Sequence, residues 1–231
     1  MSTIREQIVD LMVTKLADIS VLNGYYTDIG VRVERVRPVF QPGELPAISV
    51  IPQVETTERI YGKRVCSMPV IVECFYFHGA VSPSVIVEKI SGDLISCITG
   101  IEKLLTFTSG GTHEIVPGEL IVGATSAVTA RVIAVNLTTG TWAGGTAAGT
   151  LRVRLQTGVF VSEKLKIGAD VDVATIAKNS SLISYLEGLA EDIFYLEGGP
   201  ESYPDSGQEI TGCPATFMVK YRTALGNPSA Q

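Results

Sequence analysis

Thr106-Phe107-Thr108-Ser109-Gly110-Gly111 begins a stretch, running to about Lys178, in which Gly, Thr, Ala and Val dominate and charged residues are few. The sequence on either side is more charged and holds most of the acidic excess. Such a shift marks a separate unit placed inside another. The chain therefore reads as a discontinuous α+β domain, residues 1–103 and 179–231, with an all-β domain inserted at 104–178. Inside the insert, His113-Glu114-Ile115-Val116 meets a Pro117-Gly118 turn, and Leu120-Ile121-Val122 and Ala130-Arg131-Val132-Ile133-Ala134-Val135 follow. After the Gly-rich stretch Thr139–Gly149 come Leu151-Arg152-Val153-Arg154-Leu155, Val159-Phe160-Val161, Leu165-Lys166-Ile167 and Val171-Asp172-Val173. Short strands cut by Gly at near-regular intervals predict a small sandwich or barrel.

Working outward, the first flank opens with a capping box, Thr3-Ile4-Arg5-Glu6, and Ile4, Ile8, Leu11, Met12, Leu16 and Ile19 recur at helical spacing as far as Asn23-Gly24. Strands are predicted over Val31–Val36 and Ala47–Ile51, and Glu58–Arg64 leads into the strongly β-prone Val70-Ile71-Val72-Glu73-Cys74-Phe75-Tyr76-Phe77. Pro69 predicts an edge or a bulge near the start of that strand. Ser82-Pro83 begins a second helix, lined on one face by Val85, Ile86, Ile90, Leu94, Cys97 and Ile98 and ended by Gly100. After the insert, Leu182–Leu189 reads as a helical turn, Asp192–Leu196 as a strand, 200–207 as a loop and Thr216–Arg222 as the closing strand. The host is thus a mixed or antiparallel sheet with two helices packed on one face.

At 231 residues the chain can bury a substantial core. With 45% hydrophobic and 18% charged residues, disorder is not expected. The formal net charge of −6 and pI near 5.0 argue against sequence-specific nucleic-acid binding. Mean hydropathy is high, +0.29, yet no run of about 18 apolar residues exists, so no membrane partner is expected. The surplus apolar surface points to subunit interfaces. No secretory signal is read at the N-terminus. Cys66, Cys74, Cys97 and Cys213, widely spaced with no CxxC, read as reduced, half-buried thiols.

No catalytic, cofactor or metal site is expected. His113-Glu114 begins like HExxH, but position 117 is Pro117. Gly144 and Gly149 have phosphate-loop spacing, but Thr150 and Leu151 follow and no Lys does. His78 and His113 have no obvious acid partner by sequence. The pairs Glu191-Asp192 and Glu197 with Glu201 read as a solvated acidic face. Trp142, in the Gly-rich stretch, reads as either a binding anchor or a cover over the small β-core. Arg59, Lys63 and Arg64 form a basic hairpin limb in an acidic chain. Such an arm either pairs with acidic surfaces on identical copies through head-to-tail contacts or carries solubilising charges on an edge.

Three places share an order with a known family. They are Leu45-Pro46-Ala47-Ile48-Ser49-Val50, Gly188-Leu189-Ala190-Glu191-Asp192-Ile193, and the closing Ala215-Thr216-Phe217-Met218-Val219-Lys220-Tyr221-Arg222-Thr223 with Asn227-Pro228. Together, over residues 1–101 and 180–228, they resemble the tail terminator, or tail completion, proteins of long-tailed bacteriophages. Thr106–Gly111 with Gly140-Thr141-Trp142-Ala143-Gly144-Gly145 and Ala148-Gly149-Thr150-Leu151 looks like a small β module of phage structural proteins, an insert that the typical terminator lacks. The resemblance implies a hexameric ring, assembled in the host bacterial cytoplasm and carried in the virion tail or neck. Such a ring caps the tail tube protein, ends its polymerisation and meets the head-side connector or stopper protein. It needs no cofactor, catalyses nothing, and lets DNA pass through its lumen. On this reading the sheet lines the ring, the helices pack outside and the insert projects outward. The subunit or tube interface falls to Glu58, Arg59, Lys63, Arg64, Lys220 and Arg222, and Trp142 is the insert's contact residue. The rival readings are a neck or head-completion connector, and a binding module whose β-insert recognises a surface or glycan.

Overall fold

The structure, a computed structural model, describes residues 2–37, 39–77, 82–100, 102–111, 113–182, 185–199 and 210–230. In chain order the elements are α1 (Ile4–Ala17), β1 (Val33–Arg35), β2 (Ala47–Pro52), β3 (Thr56–Ile60), β4 (Lys63–Phe77), α2 (Pro83–Thr99), β5 (Lys103–Gly110), β6 (Leu120–Gly123), β7 (Thr129–Thr139), β8 (Ala147–Arg154), β9 (Glu163–Ile167), β10 (Asp170–Leu182), β11 (Asp192–Gly198) and β12 (Ile210–Ala224). The fold is α+β, with two helices on a six-stranded sheet and a second, closed sheet of six strands. Two compact units emerge: Met1–Val21, Tyr25–Thr99 and Ser184–Gln231 form one, and Leu22–Gly24 with Gly100–Ile183 the other.

The first unit is built on β4 and β12, fifteen residues each, paired antiparallel from Lys63↔Ala224 to Phe77↔Ile210. The sheet order is β1-β2-β4-β12-β11, with β3 also on β4. Only the β1–β2 pair is parallel. Side chains alternate across the sheet, so Cys66, Met68, Val70, Val72 and Cys74 share a buried face with Cys213, Ala215, Phe217, Val219 and Tyr221. Ile8, Met12 and Leu16 of α1 and Ile86, Ile90 and Leu94 of α2 cover that face. All four cysteines are free thiols and fully buried, not half-buried, because each lies on a core-facing position.

The helix α1 is capped as expected, with the Thr3 hydroxyl accepting from the Glu6 amide at 3.1 Å. It stops at Ala17, six residues before Asn23-Gly24. The Asp18 and Ile19 amides turn back to the carbonyls of Lys15 and Leu16, and the Ile19 carbonyl accepts from the Gly30 amide instead. The strand expected at Val31–Val36 shrinks to Val33–Arg35, behind a 3-10 turn at Ile29–Val31. Pro69 is not at an edge, for it sits inside the central strand β4, but it does mark an irregularity: Pro52 opposes Val70 while Thr56 opposes Ser67, so the β2–β3 side carries one extra residue there. The Gln53 amide donates to the Pro69 carbonyl at 2.8 Å, so residue 69 faces the gap where β2 ends and β3 has yet to begin. Proline cannot return a bond to the Gln53 carbonyl, which accepts from Arg5 at 2.9 Å instead. The turn after the insert, Tyr185–Gly188, is not the helical turn expected: Leu186 and Glu187 take left-handed φ of 48° and 56°. The loop expected at 200–207 lies outside the described residues.

The second unit closes as a barrel in the order β10-β5-β8-β7-β6-β9. Phe107, Val132, Leu151, Phe160, Leu165 and Ile176 are among its core residues. Trp142 is 9% exposed and stacks on Phe107, ring centroids 5.2 Å apart and 8° between planes. Two expected strands, His113–Val116 and Val159–Val161, are irregular. Their backbone is claimed by side chains: the Val116 amide donates to Glu119 and the Val161 amide to Glu163. Glu163 also accepts from the amides of Thr125 and Ser126 and the Ser126 hydroxyl, which fixes the turn after β6. Within this unit, Arg154 donates to the Asn23 carbonyl at 2.9 Å and Arg131 to the Gly118 carbonyl at 2.5 Å.

Candidate functional site

The basic limb lies on β3, the turn after it and the start of β4. All five residues of β3 are exposed. The turn is Tyr61-Gly62, both with positive φ (45° and 80°), the two-residue geometry that matches the twist of a hairpin. Tyr61 is fully exposed at this tip, and Ile60 beside it is 39% exposed. Arg59 lies directly opposite Arg64, and Ile60 opposite Lys63. Like charges facing each other across a ladder repel, so the intrachain pairing alone does not favour this choice.

The sequence predicted a two-stranded hairpin. The structure makes it three-stranded, because the end of β12 runs along the other side of β4: Arg222 opposes Val65, Thr223 opposes Arg64 and Ala224 opposes Lys63. Glu58, Arg59, Lys63, Arg64 and Arg222 are therefore brought to one end of the sheet. Lys220 stands two residues further in, its ammonium 5.2 Å from the Phe194 ring centroid on β11. The Arg222 guanidinium pairs with Glu191 at 2.8 Å.

A part-buried anchor fixes the root of this lobe. Arg5 of α1 donates to the Glu55 carboxylate at 3.0 Å and to the Gln53 carbonyl at 2.9 Å. The Tyr221 hydroxyl, from β12, donates to the same Glu55 carboxylate. Burial first, then the hydrogen bond to Glu55 and its charge, push the Tyr221 phenol far above its ordinary value. Burial also raises the Cys66 thiol, which lies beside it. Gln53 and Glu55, just before β3, are thus tied to a helix and a strand, so the exposed lobe springs from a fixed base. Nothing in the sequence spacing of Arg5, Glu55 and Tyr221 announces this anchor; the register of β3, β4 and β12 creates it.

The chemical decoys resolve differently. His113 does have acid partners: Nδ1 lies 2.8 Å from Asp170 and Nε2 lies 3.0 Å from Glu119. Sequence reasoning missed both, since they come from the loop before β6 and the start of β10. Burial disfavours the charged ring, but the bonds to Glu119 and Asp170 outweigh it and the imidazole pKa is raised. A cleft of about 450 Å³ opens beside His113, lined by Gly111, Asp170, Val171, Asp172 and Val173. Both ring nitrogens are occupied, Asp172 is paired to Lys164, and among the described residues no Ser, Thr, Cys or Lys lines the cleft. Gly144 sits in a turn and Gly149 within β8, so they build no phosphate cradle. Glu191 is spent on Arg222, while His78 and Glu201 lie outside the described residues. Among the described residues no three His, Cys, Asp or Glu side chains cluster to hold a metal ion. No helix of those residues is long and apolar enough to cross a membrane. Trp142, buried on Phe107, takes the core-covering role rather than that of an exposed anchor.

No protein-family model matches this chain, and no curated protein matches it.

Proposed function

We propose that this protein is a structural virion subunit: a ring-forming tail terminator that caps the tail tube of a long-tailed phage, ends its polymerisation and joins the tail to the head-side connector. The observation that carries the reading is the exposed lobe at Thr56–Val65. It is basic in an acidic chain, apolar at its Ile60-Tyr61 tip, and held at its root by Arg5, Glu55 and Tyr221. A rigid, amphipathic projection of this kind suits a contact between copies or with the tube. The high mean hydropathy supports the same reading, because ring subunits bury apolar surface against their neighbours. On this reading the chain performs no catalysis, and DNA passes through the ring without sequence-specific contact. The buried Trp142 weighs against a glycan-binding insert. Gold-labelled protein located on the virion tests the proposal. Label at the head-proximal end of the tail, with over-long tails when the gene is deleted, is the expected result. Label on the capsid, along the tube or on host-facing fibres overturns it.

A further inference from the structure

Among the described residues the outer edges of β1, β3 and β11 carry no further strand, and those of β3 and β11 lie on opposite flanks of the sheet. On one flank of β4 lie β2 and β3 end to end, and the outer edge of β3 carries no strand among the described residues. On the other flank lie β12 and then β11, whose outer edge is likewise free among those residues. Unpaired edges attract other strands, and natural proteins usually blunt them with charge. Here the two edges carry opposite charge. The lobe Thr56–Val65 holds Arg59, Lys63 and Arg64 against the single Glu58. The span Tyr185–Gly199 holds Glu187, Asp192 and Glu197, besides the Glu191 already paired to Arg222, and no Lys or Arg. Each also has an apolar neighbour: Ile60 and Tyr61 on the lobe, and Leu196, 45% exposed, on β11.

We propose that the partner of the lobe is the β11 edge of a second copy of this chain, so that β3 of one protomer adds to β11 of the next and the sheet runs on from copy to copy. This rests on the ring reading and names its contact. Strand direction favours it. β3 and β12 both run opposite to β4, and β11 runs opposite to β12, so β11 runs opposite to β3. A neighbour displaced in the plane of the sheet therefore presents β3 antiparallel to β11, and the up-and-down alternation continues unbroken. The contact is head-to-tail, since one copy gives β3 and the other β11, and such contacts generate rings when the rotation closes.

The edges also dictate a stagger. β3 stands level with Lys63–Ser67 of β4, whereas β11, read across β12, stands level with Ser67–Val72. Full pairing shifts each copy along the strands by about five residues, ~17 Å at about 3.4 Å per residue. A closed ring with this stagger has strands tilted to its axis, as shear demands in any closed barrel. The repulsive Arg59–Arg64 pair gains its compensation here, beside the acids of the neighbouring β11.

Two full-length variants, Thr56→Cys on β3 and Leu196→Cys on β11, test the pairing after treatment with a short bismaleimide. The native thiols are buried and give little background. A covalent dimer in the mixture, at least about tenfold above either variant alone, is expected. Reversing the lobe with Arg59→Glu and Arg64→Glu should abolish it, and pairing that lobe with an Asp192→Lys, Glu197→Lys edge should restore it. Thr56→Cys joining only to itself would mean a two-fold lobe-to-lobe contact and overturn the proposal. Absence of the dimer in a sample whose mass is six copies would overturn the edge pairing and leave the ring standing. Absence of both dimer and assembly at every concentration would overturn both.

Discussion

Glu163 and His113 show how single side chains hold the barrel's irregular segments. Glu163 is 5% exposed, and its carboxylate takes the amides of Thr125, Ser126 and Val161 together with the Ser126 hydroxyl. Burial opposes its charge, and those four bonds more than offset it, holding the carboxyl below its ordinary value. Glu163→Ala orphans three amides and should cost about 2 kcal/mol in a denaturant titration; an unchanged midpoint would contradict this account of the turn. His113 behaves with the opposite sign. Its pKa is raised above the ordinary 6.5 by Glu119 and Asp170, so its contribution is fully present below that value and is lost as pH rises through the raised one. The melting temperature of wild type should exceed that of His113→Gln most at about pH 5.5, with the gap closing by about pH 8.5. A gap that widens with pH would show that the ring is held neutral instead.

Elements differ in how openly the sequence announces them. The alternation of Ala215, Phe217, Val219 and Tyr221 and the stripe of Ile86, Ile90 and Leu94 are short-period signals, and the structure forms β12 and α2 on them. The N-terminal cap was equally legible. The end of α1 was not, because a long-range bond from Gly30 decides it. The strands expected at His113–Val116 and Val159–Val161 failed for a related reason: Glu119 and Glu163 take backbone groups that a ladder would have used. The candidate site was legible as a run of basic residues. Its third strand, its anchor on Glu55 and the free β11 edge all depend on register, which one sequence does not print. Gly149 illustrates the same point. It read as part of a glycine-rich loop, yet it lies in β8 against β7, where a side chain would collide with the Asn136 carbonyl. Gly149→Ala should destabilise the barrel by about 2 kcal/mol through that overlap, measured as a shift of its thermal transition; a variant as stable as wild type would place β7 and β8 further apart.

At the scale of the whole molecule, two cores imply two folding units. The helices and the β4–β12 sheet share one set of buried residues, and the barrel has its own. Replacing residues 102–182 with a flexible Gly-Ser linker should leave the host able to unfold cooperatively, with its α-helical circular-dichroism signal intact. Loss of that transition would mean that the host depends on the barrel for its fold. The exposed lobe and the acidic edge belong to the host, so the same truncated chain should keep the capacity to associate. Self-association is the property that the ring and its edge contact both require. Light scattering on the purified full-length chain, across concentration and at low salt, reads it directly. A mass rising from 24.6 kDa toward six times that value, and falling back when salt screens the lobe, is the expected result. A mass fixed at one copy under every condition, including in the presence of tail tubes, would contradict it.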